Sequence, residues 1–454
     1  MSTEDEISYP FSLPPLILDR IEVALSEPHY MVTLVGQGQR LIISPKLADL
    51  ITELKQDKPI DEIARDLSGY WGKQVSGEDL RFIVEQQMIP CGLAYARGKA
   101  PANAKIAFES IVIPKIPLSK RLLDGRFHWR LMDYKLVGRL CSPLAVFYEP
   151  LSVVLALVLI IASRYLLYGD FDNHFFRQVA ARATPVEYLV SLALLISVVL
   201  LHEFGHAAAQ VRFGLRTGPI GFQFYHYIPA FFADVSNSWK LKPRQRIAVD
   251  IGGIYFQSIA ASILYLIYLK TDYIPLLTAV IASDTLCIIS INPFLRFDGY
   301  WLLTDALAVP NLRELSEKLL SRFMKRLFRQ PVNNNLPKVS RTRAVIIVAY
   351  AVVRNCFWFL LALLIVAKAS HIYASASTLL SKFSSLMLKG IEFSDWALFF
   401  ASLIRMTLFV FLLLTLISLL LNVARRLVEL ARKAFAKLAA RQASTQAVGS
   451  AAQE

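Results

Sequence analysis

The stretch "SVVLLHEFGHAAAQVRFG", residues 197–214, sets two imidazoles and a carboxylate at the end of an apolar run. On a helix, positions four apart share a face, so His202 and His206 can offer ring nitrogens to one metal ion while Glu203 stands beside them. Zinc sites of this His-Glu-x-x-His spacing use the acid as a general base on water. Ionisable side chains inside a membrane span cost about 2.5–3.5 kcal/mol each, so three within five residues need a compensating partner. A bound cation is the simplest one. A catalytic zinc takes three protein ligands and keeps one position open. The third ligand has three candidates: His226 in "FQFYHYIPAFF", Asp234 in "FFADVSNSW" and Asp298 in "SINPFLRFDGYWLLTDAL". In the last stretch Pro293 breaks a helix after Asn292, and irregular backbone at membrane depth is tolerated where it lines a cavity.

The surrounding chain reads as membrane protein. Of 454 residues, 55% are hydrophobic and 19% charged, with mean hydropathy +0.46, which is too apolar for an ordinary soluble enzyme. The net charge of +14 sits mostly beside apolar spans, and no reading helix or zinc-finger spacing accompanies it, so nucleic acid is excluded as a partner. Four scattered cysteines form neither a disulfide framework nor a metal motif. The start, "MSTEDEISYPFSLPP", lacks the features of a signal peptide, so the first domain is expected in the cytoplasm.

Apolar runs of the roughly 20 residues a bilayer needs recur at 145–168, 187–212, 247–269, 274–293, 343–367 and 396–421. The fold class expected is therefore mainly α, a polytopic protein of about six transmembrane helices. Basic loops at 214–246 and 294–342, with the basic tail after 421, all fall on one side. That predicts a multi-pass protein of the inner (plasma) membrane with both termini cytoplasmic. The amphipathic, basic segments 311–329 and 422–441 are expected on the inner membrane surface. Gly205 with Ala207, Ala208 and Ala209 offers a small face for a second helix. Asp284 and Arg354 are read as a buried structural pair or a pore-facing solvated site, with a transport relay as the alternative, Asp250 as facing water, and His29, His128, His174 and His371 as ordinary surface or interface residues.

Five stretches divide the chain: a tail at 1–20, a small α+β domain at 21–97, a basic linker with an interfacial segment at 98–142, the membrane domain at 143–425 with its core at 187–307, and a basic amphipathic tail at 426–454. In the small domain "HYMVTLVGQGQRLIIS" alternates about a Gly-containing turn, as a β-hairpin does. "SPKLADLITELKQ", "PIDEIARDLSGYWG" and "SGEDLRFIVEQQMI" follow as three short amphipathic helices. Their order, with "DKPIDEIARDL" and then "VSGEDLRFI", resembles the PqqD-like family of winged-helix-like peptide-recognition domains. The resemblance implies binding of the leader of a ribosomally made peptide, with a sheet edge to which a peptide strand can add.

The His-Glu-x-x-His at the end of one span, a Gly-containing span next, and Asn-Pro then Asp-Gly two spans later resemble the site-2 protease family of intramembrane zinc metalloproteases, peptidase family M50. The resemblance implies that His202, His206 and Asp298 bind Zn2+, that Glu203 is the catalytic base, and that Asn292 orients substrate or lies on the oxyanion side. "NPFLRFDGYWLLTD" and "PAFFADVSNSW" look closer to the bacterial branch of peptide zinc metalloproteases, in which a PqqD-like domain can precede the membrane core. "GGIYFQ", residues 252–257, stands where many members carry Gly-Pro and an Asn, so Ile254 and Gln257 depart from that pattern. The activity implied is hydrolysis of a membrane-associated or ribosomally made precursor peptide recruited by the N-terminal domain, alongside export or peptide-modification proteins. The alternative is a non-hydrolytic peptide-binding component of a maturation or export system.

Overall fold

The computed structural model describes residues 11–23, 29–34, 40–56, 58–96, 127–169, 184–225, 227–330 and 339–451. Near the N-terminus, β2 (Leu16–Ile21), β3 (His29–Leu34) and β4 (Arg40–Ile43) form an antiparallel sheet in that order, while β1 (Phe11–Ser12) pairs with β5 (Tyr95–Ala96). The expected hairpin is β3–β4, in register from Tyr30↔Ile43 to Thr33↔Arg40. Strands β1 and β2 begin inside the stretch read as a tail; there "LILDRI" pairs along its whole length with β3.

Three helices pack on this sheet. Helix α1 (Pro45–Leu54) is capped by Ser44. Helix α2 (Ile60–Trp71) is stopped by Gly72 in the left-handed region, φ +59°. Helix α3 (Gly77–Ile83) opens with a Ser76–Asp79 capping box. The Ser76 N–H and hydroxyl bound to Asp79 hold that carboxyl below its ordinary range. Val32, Leu34, Leu50, Ile51, Ile63, Leu67, Leu80 and Met88 make the core.

Among the described residues, six helices are long and apolar enough to cross a membrane: α5 (Pro150–Tyr168), α6 (Pro185–Arg212), α7 (Pro243–Thr271), α8 (Ile274–Ile291), α11 (Arg341–Ala367) and the first part, Trp396–Leu421, of α13 (Trp396–Ala451). Their outward Leu, Ile and Val side chains are largely exposed, as lipid-facing surfaces require. Helices α6 and α7 approach closely where Gly205 has no side chain, since a Cβ there would strike the Gly252 carbonyl; Ala207 and Ala208 are buried in a cluster with Val137, Cys141 and Phe256, and Ala209 in one with Val249.

Two connections depart from the sequence expectation. The end of the stretch read as a linker forms β6 (Phe127–Met132) and α4 (Tyr134–Leu144); residues 97–126 of it lie outside the described residues. Strand β6 joins β7 (Ile220–Tyr225) and β8 (Ile228–Ala233) in a sheet of order β6-β7-β8. Between the last two long spans, α12 (Ala369–Glu392) runs antiparallel to α13, with Phe383 against Phe409 at 6.2 Å and Gly390 against Phe399. Between α8 and α11 lie α9 (Asp298–Ala306) and α10 (Leu312–Leu327). Part of the apolar face of α10, Leu312, Leu315 and Leu319, packs on Tyr300, Ile347 and Tyr350, while Phe323, Met324 and Leu327 remain exposed.

The Asp284–Arg354 pair does not form. Asp284 meets Arg164 of α5 at 2.7 Å and accepts from the Tyr168 hydroxyl at 2.9 Å. Arg354 reaches Glu317 on α10 at 3.2 Å, because the first half of α11 packs along α10. Breaking a buried ion pair from one side strands a charge, so Asp284→Asn is expected to destabilise the protein by about 3 kcal/mol. Adding Arg354→Gln should change the unfolding temperature additively, since the two residues share no partner. Thermal unfolding in detergent checks both.

Candidate metal centre

Helix α6 is defined at both ends by local sequence. Thr184 and Glu187 form a capping box ahead of Pro185. At the other end Gly214, φ +76°, closes the helix, with Leu215 N–H donating to Gln210 O at 3.0 Å and Gly214 N–H to Val211 O at 2.9 Å. The His-Glu-x-x-His segment therefore occupies the last turns of a regular helix. His202, Glu203 and His206 are all buried. Helix α7 crosses here with Gly253 facing the imidazoles: a Cβ at that position would run into Nε2 of both His202 and His206. Only glycine leaves space in front of the two nitrogens.

The third element arrives through the break at Pro293. Helix α8 ends at Asn292, whose Oδ1 accepts the Phe294 N–H at 2.9 Å and turns the chain. Asp298 then opens α9, where the helix dipole favours a carboxylate. The absent side chain of Gly299 lets this turn lie against the Ile291 carbonyl. Ser290 donates to Asp298 Oδ2 at 2.7 Å.

His202 Nε2 lies 3.0 Å from Asp298 Oδ2, His206 Nε2 lies 3.5 Å from Asp298 Oδ1, and the two Nε2 atoms are 3.1 Å apart. Four tetrahedral ligands at 2.0–2.1 Å from zinc stand about 3.3 Å from one another. The opposite ring nitrogens fix which atoms face inward. His206 Nδ1 is 2.7 Å from the Val249 carbonyl, which can only accept, so Nδ1 carries a proton and, in the neutral ring that binds a metal, Nε2 holds the lone pair. His202 Nδ1 is 2.7 Å from Gln257 Oε1. Lone pairs and a carboxylate thus converge, an arrangement a cation relieves. Among the described residues these three form a group with ligand atoms all within 4.8 Å of one another.

Glu203 does not join the trio; its carboxylate accepts the backbone N–H of Ala233 in β8. Asp234 stands apart as well, its Oδ1 accepting from the Ser236 N–H and hydroxyl at 3.0 and 2.6 Å. His226 lies outside the described residues. Asp250, read as facing water, is buried. Close by, the fully buried Arg246 lies 3.0 Å from Asp305 and 4.7 Å from the Trp239 ring, and donates to the Glu22 carbonyl at 3.3 Å. Burial raises the Asp305 carboxyl above its usual range, and Arg246 pulls it back. Sequence reasoning missed Gly253, Ser290 and the contact of Gln257 with His202. The sole signal was Gln257 standing where the resemblance expects an Asn.

The chain is 27% identical over 125 residues to the Bacillus subtilis (strain 168) protein named "Putative peptide zinc metalloprotease protein YydH". The match covers 27% of this chain and 49% of that protein, so the chain spans about half the length of the curated relative it matches. No family model matches the chain, and no solved structure matches it.

Proposed function

We propose that this chain is a membrane-embedded zinc metalloendopeptidase of the site-2 protease type. His202, His206 and Asp298 hold Zn2+, and Glu203 is the general base. The observation that carries the reading is the convergence of three ligand atoms at 3.0–3.5 Å, next in sequence to a buried carboxylate. The name of the Bacillus subtilis relative agrees with it. Zinc, when bound, polarises a peptide carbonyl and lowers the pKa of water to about 7. Glu203 takes the proton of the attacking water and returns it to the leaving amine.

The peptide has a neighbouring edge to use. Among the described residues, β8 has a strand on one side only. Asp234 bonds back to Gly218 and Pro219, so Ala233 and, two residues earlier, Phe231 turn their backbone to the free edge. Ala233 N–H is the group bound to Glu203, so an extended substrate added along Phe231 lies beside the base. Asn292 directs its Oδ1 into its own turn; the NH2 end of its amide is the donor for the substrate-orienting or oxyanion-side role.

The N-terminal PqqD-like domain recruits the peptide, a ribosomally made precursor or a membrane-associated protein. It meets the membrane domain at Lys240–Asp19, 2.8 Å, and at the Arg246–Glu22 contact. The basic stretch "KLKPRQR" at the start of α7 sets that side, and with it both termini, in the cytoplasm of a cell whose inner membrane holds the six spans.

Zinc per chain, measured on purified parent, His202→Ala and Asp298→Ala, tests the reading. Near-stoichiometric zinc lost in both variants is expected. Zinc kept by Asp298→Ala moves the third ligand to His226 or Asp234, and a parent without zinc overturns the assignment.

A further inference from the structure

Gln257 is buried in α7 and touches the two neighbouring helices at once. Its Oε1 is 2.7 Å from His202 Nδ1 on α6, and its Nε2 donates to the Ser283 carbonyl on α8 at 3.0 Å, with Ser283 Oγ at 3.2 Å. A backbone carbonyl only accepts, so the NH2 end of the amide must be the one facing Ser283, and the amide cannot flip. The end left for His202 is then an oxygen, which also only accepts. His202 Nδ1 therefore carries a proton, and in the neutral ring its Nε2 lone pair faces His206 Nε2 and the Asp298 carboxylate.

We propose that Gln257 is a positioning residue of the metal centre, fixing the tautomer and ring plane of His202 through an anchor on Ser283. This rests on the reading of His202, His206 and Asp298 as a zinc site. His206 is held in the same way by the Val249 carbonyl, a backbone group that no side-chain change removes. Gln257 is thus the half of the support that substitution can reach. Ser283 is fully buried and Gln257 nearly so, which excludes water as a substitute partner for the ring. Helix α8 acts on two ligands: Ser283 through Gln257 on His202, and Ser290 directly on Asp298. Outer hydrogen bonds of this kind are worth about 10- to 100-fold in metal affinity.

The test is zinc affinity of the full-length protein by chelator competition, with thermal unfolding of each metal-free protein and the visible spectrum of its cobalt-loaded form. Gln257→Leu is expected to bind zinc about 10- to 100-fold more weakly and to change the cobalt spectrum. Gln257→Glu keeps an oxygen that accepts the same His202 N–H but loses the donor to the Ser283 carbonyl, so it is expected to bind zinc more tightly than Gln257→Leu while its metal-free form is less stable than the parent. Gln257→Met keeps the volume and replaces Gln257→Leu if the latter does not fold. Parent-level affinity in the apolar variant overturns the proposal. So does affinity that tracks metal-free stability, with Gln257→Glu no better than Gln257→Leu, because that is the behaviour of a purely structural amide. A parent that binds no zinc overturns the zinc site itself and is recognised because every variant then binds none.

Discussion

Glu203→Gln is expected to keep zinc at the parent level and to slow peptide hydrolysis by about 100- to 10,000-fold. The carboxylate is not among the three ligand groups that converge, so the amide leaves the ligand set intact. Glutamine is close in size to glutamate, and its side-chain oxygen still accepts the Ala233 N–H, so the helix end and the strand edge stay in register. An amide, however, cannot take a proton from the attacking water at neutral pH. The substrate need not be known for the measurement: membranes of cells producing parent or variant are compared for new peptide amino-termini by mass spectrometry. Termini present with the parent and absent with Glu203→Gln, at equal zinc content, are the expected result. Equal termini with both proteins defeat the general-base role. Absence of new termini even with the parent, while Glu203→Gln supports peptide export as well as the parent does, favours the non-hydrolytic component.

The parts of this molecule that were legible in sequence are the ones encoded locally. Long apolar runs mark the six membrane-capable helices to within a few residues, because span length and hydropathy are properties of a single segment. The His202–His206 pair is legible for the same reason: helical spacing puts both residues on one face whatever surrounds them. What depended on distant partners was not legible. Arg164 stands 120 residues before Asp284, and nothing in either stretch names the other. Arg354 sits in an apolar run and so resembled a mid-span charge, while the run packs along α10 and delivers it to Glu317. Helix α12 is too mixed in composition to stand out as a span, and strand β6 finds its partner β7 some 90 residues later. For the third ligand the residues alone left His226, Asp234 and Asp298 open. The turn at Pro293, the Ser290 hydrogen bond and the close approach at Gly299 bring Asp298 to the two histidines, and all three depend on packing between helices.

Gly253→Ala should abolish zinc binding while leaving the fold in place, taking zinc from about one per chain to nearly none. The added methyl carbon falls against Nε2 of both histidines, in the space a shared metal needs. Retreat of helix α7 would cost the close packing one residue earlier, where Gly252 lies against α6: a Cβ there would meet the Tyr148 hydroxyl at 2.7 Å and the Gly205 carbonyl at 2.9 Å. Turning the imidazoles aside would break the bonds from His202 to Gln257 and from His206 to Val249. Alanine meanwhile favours a helix interior over glycine by about 1 kcal/mol, which offsets part of the local strain. The combination expected is lost zinc with a metal-free unfolding temperature near that of the metal-free parent. Gly252→Ala gives the opposite signature, since its methyl group strikes backbone and a tyrosine at the helix crossing: its unfolding temperature falls before any effect on zinc is read. Zinc retained by Gly253→Ala at parental affinity would mean that the metal does not lie between the two Nε2 atoms, and the three-ligand centre would have to be redrawn away from α7.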